Sequence, residues 1–560
     1  VSAPTLTRGT GRRGHADGWW IVTVVGFAAV LAFLVWPLAR VLLGSVIGEH
    51  GWLAFGETYG RVASHRYYWS SVLNSVWLSA AATLGAVLVG TPLALALSRY
   101  PVPGPVLLRT GANLALLSPP FIGAYSWVVL LGRNGLVTRW LESLGWAVPS
   151  IYGYKGILLA FVVQYFPLVF LLVSGALAAV DQSIEDAALS LGSRPGQAFF
   201  RVILPVILPS LTAGALLVFM ATMADFGTPM VLGEGLRTLP TLMYGEFINE
   251  LGGNPTMAST LGSLLILINT AALMGQRYWA FRKAYHVVCL RPLQRLRPPL
   301  GRLALTTALV YGVVALALVP AATILVSSFM PTRGPVMYAG LSLQSYATVL
   351  HLVPRAIANT FLLTGLAVAL DVGLGMLLAY CLARRPSRPH AVLDALIMLA
   401  YAIPGTVVGV GLILVYNHPP LVLTGTWIIL LVSYFIRHLP YPVRACAAML
   451  QQIDVRVEDA SISLGVPPFR TFWRVTVPLM VPAIVSGATL AWITTVGELS
   501  SSILLYSGPW ATTSVAIFTQ VFSNHFGTAS ALASILIVAA AVPLFLMYRF
   551  LGRQAAAVAP

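Results

Sequence analysis

The chain has 560 residues, of which 58% are hydrophobic and 9% charged, and its mean hydropathy is +0.84. A soluble domain carries about 25% charged residues, so this composition excludes an ordinary soluble enzyme and points to an all-α integral membrane protein. The formal net charge of +16 is almost entirely arginine in short clusters between apolar runs, which reads as membrane topology and not as a nucleic-acid surface.

Residues 1–18 form a polar, Arg-bearing tail. The apolar run after Trp19 is too long for a cleaved signal peptide and reads as a retained helix. A membrane span needs about 20 apolar residues. Spans are expected near 19–43, 72–97, 107–132, 156–180, 205–231 and 256–279, which make a first half over 19–280. A basic linker over 281–303, with Pro292, Pro298 and Pro299, joins it to a second half over 304–550. Spans there are expected near 304–329, 357–383, 391–416, 420–438, 478–505 and 526–549, before a tail over 551–560. The bias of Arg and Lys toward alternate loops puts both termini in the cytoplasm.

The two halves repeat. Asn74-Ser75, Arg99 and Pro119 match Asn359-Thr360, Arg384 and Pro404 at an offset of 285. Gly192, Pro205 and Pro209 match Gly465, Pro478 and Pro482 at an offset of 273. Six spans per half give both halves the same orientation, a parallel repeat about a pseudo-two-fold axis along the membrane normal.

The clearest repeated phrase lies in the loops 181–204 and 454–477, where EDAALSLG begins at Glu185 and EDASISLG at Glu458. Acidic residues suit a helix N-terminus and glycine suits its end, so each copy reads as a short helix on the cytoplasmic face. An aromatic pair follows, Phe199-Phe200 or Phe472-Trp473. One copy alone reads equally well as an interfacial anchor; two copies in step favour docking into a partner.

This phrase resembles the EAA loop of permease subunits in type I binding-protein-dependent ABC importers, where it forms the coupling helix that fits a cleft on the ATPase. The resemblance assigns that role to Glu185, Asp186, Ala187, Ala188 and Gly192, and to Glu458, Asp459, Ala460, Ser461 and Gly465. Two departures are visible: Asp follows Glu in both copies, and Ser461 replaces the second Ala. The fused halves and the segment ADFGTPMVLG look most like the ferric-iron transporter permease class. Relatives in that class carry thiamine, polyamines, 2-aminoethylphosphonate or sugar phosphates. The resemblance implies a bacterial inner-membrane location, two copies of a cytoplasmic ATPase subunit and an external substrate-binding protein.

The chain's own residues agree with a non-enzymatic role. Lys155 and Lys283 are its only lysines and neither follows a glycine, so a Walker A motif is absent. ATP and Mg are therefore expected on partner subunits, with no cofactor bound by this chain. Cys289, Cys381 and Cys446 fit no metal or disulfide spacing. Charges inside a membrane tend to face a cavity or a partner. Asp225 and Glu498, equivalent at the 273 offset, and Asp371, whose counterpart is Ala86, are the candidate path residues. A structural role for the first two, bonding hydroxyls or backbone at the breaks after them, is the competing reading. Tyr125, Tyr401 and Tyr416 offer phenol oxygens to a hard cation but read more readily as interfacial aromatics. A gradient-driven twelve-helix transporter also has parallel halves. Its usual charged loop between spans two and three is replaced here by SRYPVPGPVLLR, which has no acid.

Overall fold

The computed structural model of the chain describes residues 18–47, 55–249, 253–281, 291, 293–296 and 298–558. Most of the N-terminal tail, Cys289, Lys283, Pro292 and the middle of the linker lie outside the described residues. The first half contains α1 (Trp19–Gly44), α2 (Arg66–Arg99), α3 (Pro105–Leu114), α4 (Pro120–Leu131), α5 (Tyr154–Ala178), α6 (Gln182–Ser190), α7 (Pro195–Ala224) and α8 (Pro255–Phe281). The second contains α9 (Leu300–Ser327), α10 (Pro354–Arg384), α11 (Arg388–Ala402), α12 (Gly405–Tyr416), α13 (Trp427–His438), α14 (Pro440–Gln452), α15 (Arg456–Ser463), α16 (Pro468–Val496) and α17 (Phe526–Val558). Among the described residues, nine of these are long and apolar enough to cross a bilayer: α1, α2, α5, α7, α8, α9, α10, α16 and α17.

Proline shapes the long helices. Leu31–Val35, Phe199–Ile203 and Phe472–Thr476 each widen into a π-turn, and each ends two residues before a proline (Pro37, Pro205 and Pro478). Proline has no N–H to donate and its ring crowds the preceding turn, so the helix relaxes there without ending.

Three expected spans differ in form. The run 107–132 is two helices, α3 and α4, parted at Pro119-Pro120, and 391–416 is α11 and α12, which meet at 110° at Ile403-Pro404. The expected span 420–438 is corrected. Helix begins at Trp427 and runs through α13 and α14 to Gln452, with Leu439 alone between them. At the 273 offset, Trp427 matches Tyr154 and Pro440 matches Pro167, so α13 and α14 together are the counterpart of α5. Arg437 and His438 interrupt the hydropathy at mid-helix, which is why the apolar run seems to finish there.

Close packing sets the direction of these elements. Gly85 of α2 faces Val162 of α5 and Gly90 faces Phe166, so α2 and α5 run parallel. A Cβ at Gly90 would come within 2.7 Å of the Phe166 carbonyl, the approach that small residues permit between membrane helices. Arg99 at the end of α2 pairs with Glu185 just beyond α5, so both helices end on one face. Parallel helices oblige the chain between them to return from the end of one to the start of the other, and α3 with α4 makes that return. In the second half the pair Arg384–Glu458 imposes the same on α11 and α12.

The first helix of each half lies against the other half. In α1, Trp19 stacks on Tyr380 with ring centroids 4.5 Å apart, and Gly26 faces Leu378. In α9, Tyr311 donates to the Pro103 carbonyl at 3.1 Å, and Val314 packs on Gly111. This exchange binds the halves together, and no local sequence pattern announces it. Outward faces such as Trp77, Leu84 and Leu88 of α2 are exposed and apolar, as lipid requires.

Candidate functional site

The repeated phrase folds as α6 and α15. Asp181 caps α6 by accepting from the Ser183 N–H at 2.8 Å, and Asp454 does the same for Arg456 at 2.9 Å. Both ends close with the same turn. Ser193 N–H bonds the Ala188 carbonyl and Gly192 N–H bonds that of Leu189; Val466 and Gly465 repeat this on Ser461 and Ile462. This double bond needs a left-handed residue, and Gly192 and Gly465 have φ of +87° and +86°. The turn lifts Leu191 and Leu464 clear of the protein, at 88% and 85% exposure.

The phrase's acidic pair divides its labour. Glu185 is buried and ion-paired to Arg99, whereas Asp186 is exposed and accepts only from Gln182, at 2.8 Å. Glu458 is likewise buried, holding Arg384 Nε at 3.0 Å and the Tyr380 hydroxyl at 3.0 Å, while Asp459 is exposed. Each Glu thus fastens its short helix to the end of α2 or α10, and Tyr380 lies within the cluster of Trp19 and Phe472. Ala187 and Ala460 are exposed and Ala188 is buried. Ser461 bonds Thr471 at 3.0 Å; the equivalent positions of the first half are Ala188 and Ala198, both buried.

The second candidate region lies inside the bundle, just past the ends of α7 and α16. The fifth expected span of each half ends earlier than expected: α7 stops at Ala224 and α16 at Val496. Asp225 then accepts from the Thr228 N–H at 2.9 Å and its hydroxyl at 3.0 Å, while Glu498 accepts from the Ser501 N–H at 3.0 Å and its hydroxyl at 3.3 Å. The structural reading of the two acids is thereby met, because each holds the turn that follows a helix break.

Around them, however, the halves differ. Glu498 forms an ion pair with Arg437, and His438 Nε2 stands 4.0 Å away. The positions equivalent to Arg437 and His438 are Gln164 and Tyr165. Tyr165 donates to Asp225 at 3.3 Å, and Gln164 donates to the Ala115 and Ser118 carbonyls at 3.1 and 2.9 Å, closing the α3–α4 break. Asp225 therefore has hydroxyl and amide partners but, among the described residues, no cation, although both acids are buried. The breaks meet across the pseudo-axis: a Cβ at Gly497 would fall 2.4 Å from Pro119, and one at Gly227 would fall 3.3 Å from Leu499. Interrupted helices that converge inside a bundle are a recurring way to place polar groups in a transport path.

Other sequence candidates separate from this centre. Asp371 on α10 is fully buried, and neither of its oxygens has a hydrogen-bond partner among the described residues. Tyr125 donates to the Phe526 carbonyl at 2.6 Å and Tyr416 to the Ala32 carbonyl at 2.9 Å, both fastening one half to the other. Tyr401 is half-exposed and meets Tyr441, which stacks on His438. Arg437, His438, Tyr165 and Tyr441 escaped the sequence reading. Extending the 273 offset through the fourth span would have paired Arg437 with Gln164. Cys381 and Cys446 are buried and free. No group of three or more His, Cys, Asp or Glu able to hold a metal occurs among the described residues.

Comparison with known proteins follows the same division into halves. The family model "Binding-protein-dependent transport system inner membrane component" matches residues 86–285 and again 371–556. The chain belongs to this family. It is the non-catalytic, multi-pass inner-membrane permease of a bacterial binding-protein-dependent ABC importer; ATP hydrolysis falls to separate subunits, and no cofactor is part of the permease. The gradient-driven alternative is thereby set aside. Both matched regions omit the exchanged first helices and contain the repeated phrases. Among relatives, the Ferric transport system permease protein FbpB of Actinobacillus pleuropneumoniae is 29% identical over 525 residues, 91% of this chain and 75% of that protein. The Putative ferric transport system permease protein FbpB 1 of Haemophilus influenzae is 29% identical over 492 residues, 85% and 76% of the two chains. The Putative 2-aminoethylphosphonate transport system permease protein PhnU of Salmonella typhimurium is 29% identical over 261 residues, covering 46% of this chain and 88% of that one.

Proposed function

We propose that this permease carries ferric iron inward, delivered by an external binding protein and driven by two ATPase subunits docked on α6 and α15. The nine long helices and the pairs α3–α4, α11–α12 and α13–α14 make twelve crossings, with both termini in the cytoplasm. ATP-driven closure of the ATPases brings α6 and α15 together. The buried pairs Arg99–Glu185 and Arg384–Glu458 pass that motion to α2 and α10, and the path opens outward. Hydrolysis reverses it, each nucleotide state favouring one conformation through its differential affinity.

The observation that carries the iron reading is similarity to ferric permeases along nearly the whole chain, joined by Asp225 and Glu498 at the meeting helix breaks. Carboxylate and phenol oxygens suit a hard cation. A sparse ligand set suits passage, because a conducting site must bind weakly enough to release. Asp371 is proposed as a further path residue on the strength of its unpartnered, buried carboxylate.

One observation favours a second reading. Arg437 would offer a guanidinium to a phosphonate if it parted from Glu498, and the 2-aminoethylphosphonate relative matches one half of the chain. Purifying the binding protein that associates with this permease and assaying it by metal analysis and mass spectrometry separates the two. Stoichiometric iron is the expected result. A bound phosphonate without iron overturns the iron reading and leaves the importer architecture standing.

A further inference from the structure

A cavity of about 480 Å³ opens between the end of α2, the latter part of α3 and the end of α5, on the face that bears α6 and α15. Its walls are apolar at Leu97, Phe170 and Leu171, and two arginines, Arg109 and Arg295, line it without any acidic residue. Neither arginine makes an ion pair among the described residues; Arg109 reaches only the Leu97 carbonyl, at 3.5 Å. Asn113, also in the wall, has a buried side-chain oxygen with no hydrogen-bond partner.

Arg295 comes from the linker, which is held in place here. The Gln182 N–H bonds the Arg291 carbonyl at 2.9 Å, the Gln294 N–H bonds the Gln182 side chain at 2.9 Å, and the Leu296 N–H bonds the Arg99 carbonyl at 2.7 Å. The linker is thus a built wall of the cavity, fastened to the first coupling helix.

The second half shows what the cavity lacks. Arg109 corresponds to Asp394, Leu171 to Arg444 and Asn113 to Met398. There Arg444 pairs with Asp394 at 3.1 Å and turns its Nε to the Met398 sulfur at 2.9 Å, so charge is balanced within the chain. In the first half the same place holds positive charge alone. An anion from outside the chain completes it.

We propose that this cavity binds the headgroup of an anionic phospholipid from the adjoining leaflet. The phosphate sits between Arg109 and Arg295, and the acyl chains lie along Leu97, Phe170 and Leu171. A lipid is favoured over a soluble phosphate because the walls are apolar and the neighbouring Val106 and Leu107 of α3 are 77% and 71% exposed, as a lipid-facing surface is. Basic pockets between membrane helices at this level select anionic headgroups. Because the linker both lines the site and bonds α6, lipid occupancy braces the first coupling helix and has no counterpart at the second.

The test uses the full chain in nanodiscs of phosphatidylglycerol or phosphatidylcholine, with retained lipid read by native mass spectrometry. One phosphatidylglycerol should stay bound to the wild-type chain, with affinity about thirtyfold lower in the Arg109→Gln, Arg295→Gln double variant. The single Arg295→Gln variant alters only an exposed linker side chain, so its intermediate loss guards against misfolding of the double. Equal retention of phosphatidylglycerol by the wild type and both variants overturns the site. Release of the lipid by millimolar inorganic phosphate overturns the lipid assignment in favour of a soluble phosphate.

Discussion

Valine at both Gly192 and Gly465 removes substrate-stimulated ATP hydrolysis while the permease still folds. Both glycines adopt φ near +87°, and a β-branched residue there costs about 1–2 kcal/mol per site, enough to open the turn that bonds Ser193 to Ala188 and Val466 to Ser461. Leu191 and Leu464, which that turn projects, then leave their docking geometry. Nothing lies within 4 Å of the missing side chains at either glycine, so the damage stays local. The expected result is a loss of about tenfold or more in stimulated hydrolysis by the reconstituted complex, with basal hydrolysis by the ATPase unchanged. Undiminished stimulation in a double variant that still assembles would remove the coupling role from α6 and α15.

Glu498→Ala destabilises the protein strongly, and a second change repairs it. The variant leaves the largely buried guanidinium of Arg437 without its carboxylate, a loss of about 3–5 kcal/mol for a broken buried pair. Arg437→Gln with Glu498→Gln removes both charges and places glutamine where the first half already has Gln164, so most of the stability returns. Asp225→Asn, which strands no cation, costs less than Glu498→Ala in thermal unfolding. Transport falls in both, because each acid is proposed to line the path. Equal unfolding temperatures for Glu498→Ala and the Arg437→Gln, Glu498→Gln double variant would show that the ion pair has no net role.

How much of this was legible in the residues depended on whether the signal was local. The short helices α6 and α15 were, since acidic residues, small residues and a helix-ending glycine all fall within one short phrase that occurs twice. The pairing of Asp225 with Glu498 was visible from the 273 offset alone. Their partners were hidden for a physical reason: Arg437 and His438 lower the hydropathy of the helix that buries them, so a helix through Gln452 looked finished at 438. Within the coupling phrase, Asp186 and Asp459 seemed equal to Glu185 and Glu458. Only the approach of Arg99 and Arg384 from distant helices distinguishes them. The exchange of α1 and α9 between halves and the linker's attachment to Gln182 are likewise long-range, with no periodicity to betray them.

The asymmetry of the halves bears on mechanism. At the helix breaks the second half carries a cation against its acid and, among the described residues, the first does not; the linker bonds α6, whereas α15 is held through Glu458 by Arg384 and Tyr380. A symmetric ATPase pair therefore acts on two unlike levers. We expect the first coupling helix to set resting position and the second to make the larger excursion.

The most direct test is uptake by proteoliposomes that contain the permease, its ATPase and its binding protein, supplied with radioactive ferric iron outside and ATP inside. The account predicts iron accumulation that needs ATP and the loaded binding protein and that is lost in the Gly192, Gly465 valine variant. Iron uptake without ATP, or none while 2-aminoethylphosphonate is accumulated under the same conditions, would contradict it.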